Sequence, residues 1–194
     1  MRNQRPAYTL LEMVLVMAII VILMAVGYPS VEGMQVGYRL SAAGDQVRAA
    51  WASARAQSVE EGRPYRFSVV LDKGNFRVAP DSNEYWQGGE PPAPDDPTQR
   101  PLILEEALPK GVRFGTPEMV QGGTMPRSGD SSLPVGSVEP AAWTSTVTFL
   151  PDGTTQDDVE INFSARGGKP LSIKLRALTG VVTVKQIGAE GGRR

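Results

Sequence analysis

Cysteine and histidine are both missing from the 194 residues of this chain. Their absence removes thiol and disulfide chemistry, the usual zinc ligands, and the side chain most often used for proton transfer near neutral pH. An enzyme built on this sequence would have to work with carboxylates, serine or lysine. A charge excess is missing too: 20 Lys and Arg stand against 21 Asp and Glu, so no global field draws the chain to nucleic acid or anionic lipid. The glycine pairs Gly88-Gly89, Gly122-Gly123 and Gly167-Gly168 lack the Lys-Ser/Thr continuation of a phosphate loop, and no Gly-x-Ser-x-Gly elbow occurs. Neither Asp95-Asp96 nor Asp157-Asp158 has the alternating Asp spacing that gathers several oxygens around calcium, so both pairs read as solvated turn charges. We therefore read the chain as non-enzymatic, with no cofactor and no metal. Lack of cysteine suits a reducing cytoplasm or an oxidising periplasm equally, and the N-terminus decides between them.

What is present begins with Arg2 and Arg5 in an acid-free stretch over 1–7, followed by an apolar run from Leu10 to Val26 broken by Glu12. From Tyr8 to Tyr28 the chain would make about 31 Å of helix at ~1.5 Å per residue, matching the roughly 30 Å hydrocarbon core of a bilayer. Arginines ahead of the span favour a cytoplasmic N-terminus, with everything after Pro29 across the membrane. A secretory signal cut near Ala25-Val26-Gly27 and a plain anchor are the ordinary readings of such a segment. Glu12 argues against both, because a carboxylate inside a spanning helix costs a few kcal/mol and is normally kept for a function.

The stretch Ala7-Tyr8-Thr9-Leu10-Leu11-Glu12-Met13-Val14-Leu15 and its apolar continuation to Leu23 resembles the type IV prepilin signature: a leader, a junction, and Glu as the fifth residue beyond it. The resemblance implies cleavage between Ala7 and Tyr8 by a membrane prepilin peptidase, and N-methylation of the new terminus at Tyr8. Ala7 stands where glycine is usual and Tyr8 where Phe or Met is usual. The resemblance also implies that Glu12 serves assembly, by pairing with the terminal amine of a subunit.

Beyond the membrane, Pro29 after Gly27 is expected to kink or soften the helix. Leu40, Ala43, Gly44, Val47, Ala50, Trp51, Ala54 and Ser58 then recur at spacings of three and four, while Arg39, Asp45, Arg48 and Arg55 lie elsewhere, so one stripe should face a sheet. Gly62 suits a left-handed cap and Pro64 cannot continue a helix, which predicts an end near Glu61. The period then becomes two: Tyr65, Phe67, Val69 and Leu71 alternate with Arg66 and Ser68, and Asp72-Lys73-Gly74-Asn75 turns into Phe76-Arg77-Val78 as a hairpin. Further strands are expected over 102–104, 111–114, 144–150, 159–164, 171–177 and 181–187, which makes an α+β head: a long helix packed on an antiparallel β-sheet.

Leu108-Pro109-Lys110-Gly111-Val112-Arg113-Phe114, then Val147-Thr148-Phe149-Leu150-Pro151-Asp152-Gly153-Thr154, then Leu178-Thr179-Gly180-Val181-Val182 are similar to three head stretches of the GspH/FimT-like minor pseudopilins. An Arg often follows the glycine of the last stretch in relatives; here it is Val181. This resemblance implies a pilin-like fold and a structural minor pseudopilin of a type II secretion pseudopilus, supporting fibre initiation and protein export. Its implied partners are the prepilin peptidase, other major and minor pseudopilins or pilins, and the inner-membrane assembly platform. The implied location is the bacterial inner membrane, single-pass, with the head in the periplasm.

The alternative is a minor pilin of a type IV pilus that binds DNA during uptake through Arg193 and Arg194 at the C-terminus. Against it, removing a leader that holds Arg2 and Arg5 leaves 18 basic against 21 acidic residues. The expected organisation is a leader over 1–7, a transmembrane helix over 8–28, its amphipathic continuation over 29–62, a β-rich head over 63–187 and a flexible tail over 188–194. Residues 80–101 and 115–140, rich in Pro, Gly and Ser, are expected to be mobile insertions with few apolar residues to pin them, or else surfaces that contact partners.

Overall fold

The computed structural model describes residues 9–88, 100–115 and 132–187, and of residues 25–34 the backbone alone. The chain divides into two units, Met1–Gln35 and Val36–Arg194. A 52-residue helix α1, Leu10–Glu61, contributes its first part to one unit and the rest to the other. Helical backbone continues through Pro29.

In the first unit the helix is apolar on every described side, and Leu10, Leu11, Val14 and Met17 are all well exposed. A helix of this kind has no stripe to lay on a sheet; its apolar surface is complete only against lipid or other helices. Among the described residues no helix is long and apolar enough to cross a membrane. The described side chains of the apolar run end at Met24, and the span expected over 8–28 reaches past them at both ends.

In the second unit every residue of the expected stripe, Leu40 through Ser58, is buried, and Arg39, Asp45 and Arg48 are exposed. The helix ends at Glu61, and Gly62 takes φ +66°, the left-handed turn that glycine adopts without a β-carbon clash. Tyr65 then reaches back: its hydroxyl donates to Glu61 Oε1 (2.8 Å) and accepts from Leu102 N–H (3.1 Å), pinning helix end and strand start together. Burial raises the Tyr65 phenol to about 12, and its bond to Glu61 adds to the shift.

The strands are β1 Tyr65–Val69, β2 Asn75–Pro80, β3 Leu104–Ala107, β4 Val112–Gly115, β5 Thr144–Phe149, β6 Val159–Ala165, β7 Leu171–Leu175 and β8 Val182–Gln186. They form not one sheet but two antiparallel four-stranded sheets, ordered β3-β2-β1-β5 and β4-β6-β7-β8. A chain of aromatic contacts runs from helix through both: Trp51 meets Phe67 edge-on (5.8 Å), Phe67 stacks on Phe76 (5.6 Å), Phe76 meets Phe114 (6.3 Å) and Phe114 meets Phe163 (5.5 Å). Each buried side chain of this size stabilises by about 1.5–3 kcal/mol, so this line is the backbone of the core. The β1–β2 turn makes a main-chain link to the other sheet, with Asp72 N–H on Phe114 O (3.2 Å) and Phe114 N–H on Lys73 O (2.9 Å).

Three expectations change. Leu71 is exposed, since β1 ends at Val69 and a register shift between Phe67 and Ser68 buries Ser68. The strand expected at 102–104 lies at Leu104–Ala107 instead, because Glu105 pairs with Arg77 (4.0 Å) and Glu106 accepts from Gln46 Nε2 (2.7 Å). Those partners satisfy two carboxylates that an apolar pattern reads as loop. Residues 81–88, expected within an unpinned insertion, are held by a second apolar cluster of Ala79, Tyr85, Trp86 and Trp143. Trp86 Nε1–H donates to Pro80 O (2.8 Å), and the guanidiniums of Arg66 and Arg77 lie 5.1 and 5.5 Å from its ring centre.

Candidate functional site

Thr9 directly precedes α1 and closes its first turn: its Oγ1 accepts the Glu12 N–H (3.2 Å) and its carbonyl accepts the Met13 N–H (3.2 Å). Helix starts leave four N–H groups without partners, and a Thr placed three residues before a Glu satisfies one of them. Glu12 thus sits in the first helical turn, where its negative charge is favoured by the helix dipole. Its carboxylate is exposed, on a helix surface otherwise made of Leu10, Leu11, Met13 and Val14. The Thr-x-x-Glu spacing is visible in the sequence, so the role of Thr9 could have been read there.

The local contribution of Glu12 to the helix start is about 0.3–1 kcal/mol. A carboxylate surrounded by lipid costs a few kcal/mol, several times more. The junction residues Ala7 and Tyr8, and the C-terminal Arg193 and Arg194, lie outside the described residues.

On the head, two of the three stretches set apart in the sequence come together. Asp152 Oδ1 accepts from Thr154 N–H (2.9 Å) and Thr154 Oγ1–H (2.7 Å), which holds the Asp152 carboxyl below its ordinary range and shapes the turn around Gly153. A second turn closes with Gly180 N–H on Arg176 O (2.8 Å), and Thr155 N–H on Ala177 O (3.1 Å) ties the two turns side by side. Between them lies the guanidinium of Arg55: a β-carbon at Gly153 would be 3.4 Å from its Nε, and one at Gly180 would be 2.8 Å from its Cζ. Gly180 takes φ +65°, the left-handed conformation that favours glycine, and a β-carbon there would also displace the end of Arg55. The third stretch, around Gly111, contributes Val112 and Phe114 to the core instead. Arg55 was read only as a residue off the stripe; nothing local in the sequence pairs it with Gly180. Asp158 is used structurally, its Oδ1 accepting the Ala177 N–H (2.8 Å), and no metal-holding group of carboxylates occurs among the described residues.

Residues 2–28 match the prokaryotic N-terminal methylation motif. No match among curated proteins accompanies it. Two solved structures of the minor pseudopilin EpsH from the type II secretion system of Vibrio cholerae are similar in fold. One is 7% identical with a TM-score of 0.45, covering 77% of this chain and 98% of that one. The other is 10% identical with a TM-score of 0.47, covering 78% and 96%.

Proposed function

We propose that this chain is a pilin-like structural subunit without enzymatic activity, a minor pseudopilin that helps initiate the fibre of a type II secretion system and so supports protein export. The observation that carries the reading is Glu12: one exposed carboxylate in the first turn of α1, whose other described side chains as far as Met24 are apolar, within the methylation motif over 2–28. Cleavage between Ala7 and Tyr8 would leave the Tyr8 amine near the same membrane depth as Glu12. An amine from a neighbouring subunit then neutralises the carboxylate, and a helix one step out of register leaves two unpaired charges in lipid. That makes the pair a register device for packing subunits. Arg2 and Arg5 hold the leader in the cytoplasm, and the head folds on the periplasmic side. Support for the minor pseudopilin class comes from the stretches around Gly111, Gly153 and Gly180, the last two of which meet at Arg55.

Intact-mass analysis of the protein extracted from membranes tests the reading. The expected mass is that of Tyr8 to Arg194 plus one methyl group. A start after Gly27 would replace it with ordinary secretion, and an uncut Met1 form in cells with active peptidase would leave a plain anchor.

A further inference from the structure

Beside the buried stripe of α1, a groove of about 410 Å³ opens on the head. Its apolar surface includes Val59 of the helix, Leu175 of β7 and Val182 of β8; Arg48 and Arg55 also line it, and among the described residues no acidic one does. Arg48 has only a long contact to the exposed Asp45 on its own helix, at 3.6 Å. Arg55 has no ion pair among the described residues, and its guanidinium lies between the two turns around Gly153 and Gly180. Trp51 also lines the groove; it is 2% exposed, yet its Nε1–H has no acceptor among the described residues. That nitrogen is enclosed, so the ring serves as a wall of the groove and as a reporter on it.

We propose that this groove binds a carboxylate that sits beside an aliphatic side chain on a peptide segment of another protein chain. Charge complementarity selects this occupant: two cations and, among the described residues, no anion line an apolar surface. The Arg55 guanidinium takes the carboxylate in its planar fork, Arg48 adds charge at the rim, and the Trp51 ring forms part of the wall. The aliphatic neighbour covers Val59, Leu175 and Val182. The inference concerns the head and does not depend on the reading of the N-terminal helix.

The test uses the full chain in detergent micelles, with N-acetyl-leucine as the probe and the Trp51 indole N–H resonance as the readout, assigned through the Trp51→Phe variant. N-acetyl-leucine is expected to shift that resonance saturably, with a Kd of roughly millimolar order for so small a ligand. N-acetyl-leucinamide and inorganic phosphate should bind at least about tenfold more weakly, and Arg55→Gln should weaken N-acetyl-leucine by about the same factor. Equal binding of the amide would make this a purely apolar patch and overturn the proposal. Equal binding of phosphate would make it a general anion site, with the same consequence. So would an unmoved Trp51 resonance at about 20 mM probe, or undiminished binding by an Arg55→Gln protein whose other resonances are native.

Discussion

Asn75 holds Leu133, 58 residues away, by both polar groups of its backbone: Asn75 Nδ2 donates to Leu133 O (2.9 Å) and Asn75 Oδ1 accepts from Leu133 N–H (2.7 Å). The side chain is fully buried and acts as one extra rung of sheet pairing at the start of β2. Asn75→Ala is expected to destabilise the head by about 1–3 kcal/mol, since it removes two hydrogen bonds and leaves their partners to water. The midpoint of urea unfolding should fall with little change in slope; an unchanged midpoint would mean that the pair contributes nothing net.

Gly180 and Arg55 give a second test. Gly180→Ala places a β-carbon against the guanidinium and forces alanine into φ +65°, a left-handed conformation that costs ~1–2 kcal/mol. Arg55→Ala in the same background should recover the steric part and not the backbone part. A double-mutant cycle on thermal stability separates them, and purely additive effects would show that Arg55 does not touch this turn.

Two tryptophans should respond oppositely to their exposure. Trp51 is 2% exposed and Trp86 8%, so burial alone ranks Trp51→Phe as the costlier change. Hydrogen bonding reverses the order: Trp86 Nε1–H is bonded to Pro80 O, whereas Trp51 Nε1–H is unpaired. Trp51→Phe loses roughly 1 kcal/mol of packing and sheds an unsatisfied buried donor, so it should be close to neutral. Trp86→Phe removes one of the two hydrogen bonds on Pro80 O, which keeps the one from Ser82 N–H (2.9 Å), and weakens two cation–π contacts, so it should cost about 1–2 kcal/mol. Chemical denaturation of both variants checks the ranking.

Alkaline pH should loosen the helix end. The folded Tyr65 phenol is raised to about 12 from an ordinary value near 10, first by burial and then by its bond to Glu61. A raised folded value means that the unfolded chain releases this proton more readily. The contribution is therefore complete below pH ~10 and disappears as pH climbs to about 12. Thermal midpoints measured from neutral pH upward should fall across that window, and Tyr65→Phe should flatten that part of the profile. A Tyr65→Phe protein with the wild-type pH dependence would contradict the assignment.

Glu12→Leu is expected to separate folding from assembly. The loss at the helix start is at most about 1 kcal/mol, and removing a carboxylate from lipid favours insertion by more than that. The variant should be cleaved and inserted like wild type, yet co-purify poorly with partner pseudopilins. Full co-purification, with normal secretion in the same cells, would remove Glu12 from any role in subunit register.

Much of the fold was legible because it depends on near neighbours. The helix stripe follows from a spacing of three and four, its end from Gly62 and Pro64, and strands β1, β2 and β5 to β8 from apolar residues bounded by turns. The methylation motif and Glu12 were legible for the same reason, lying within one short segment. What the tertiary structure alone decided are pairings between distant residues. Glu105 and Glu106 are strand residues because Arg77 and Gln46 receive them, residues 81–88 are ordered because Trp143 packs on Trp86, and the strands separate into two sheets joined at the Lys73 turn. Arg55 comes to line a groove because two turns, each readable in isolation, meet beside it. Periodicity records which face of an element is apolar; it holds no record of which distant group will satisfy a charge or a buried donor, and folding the whole chain determines that.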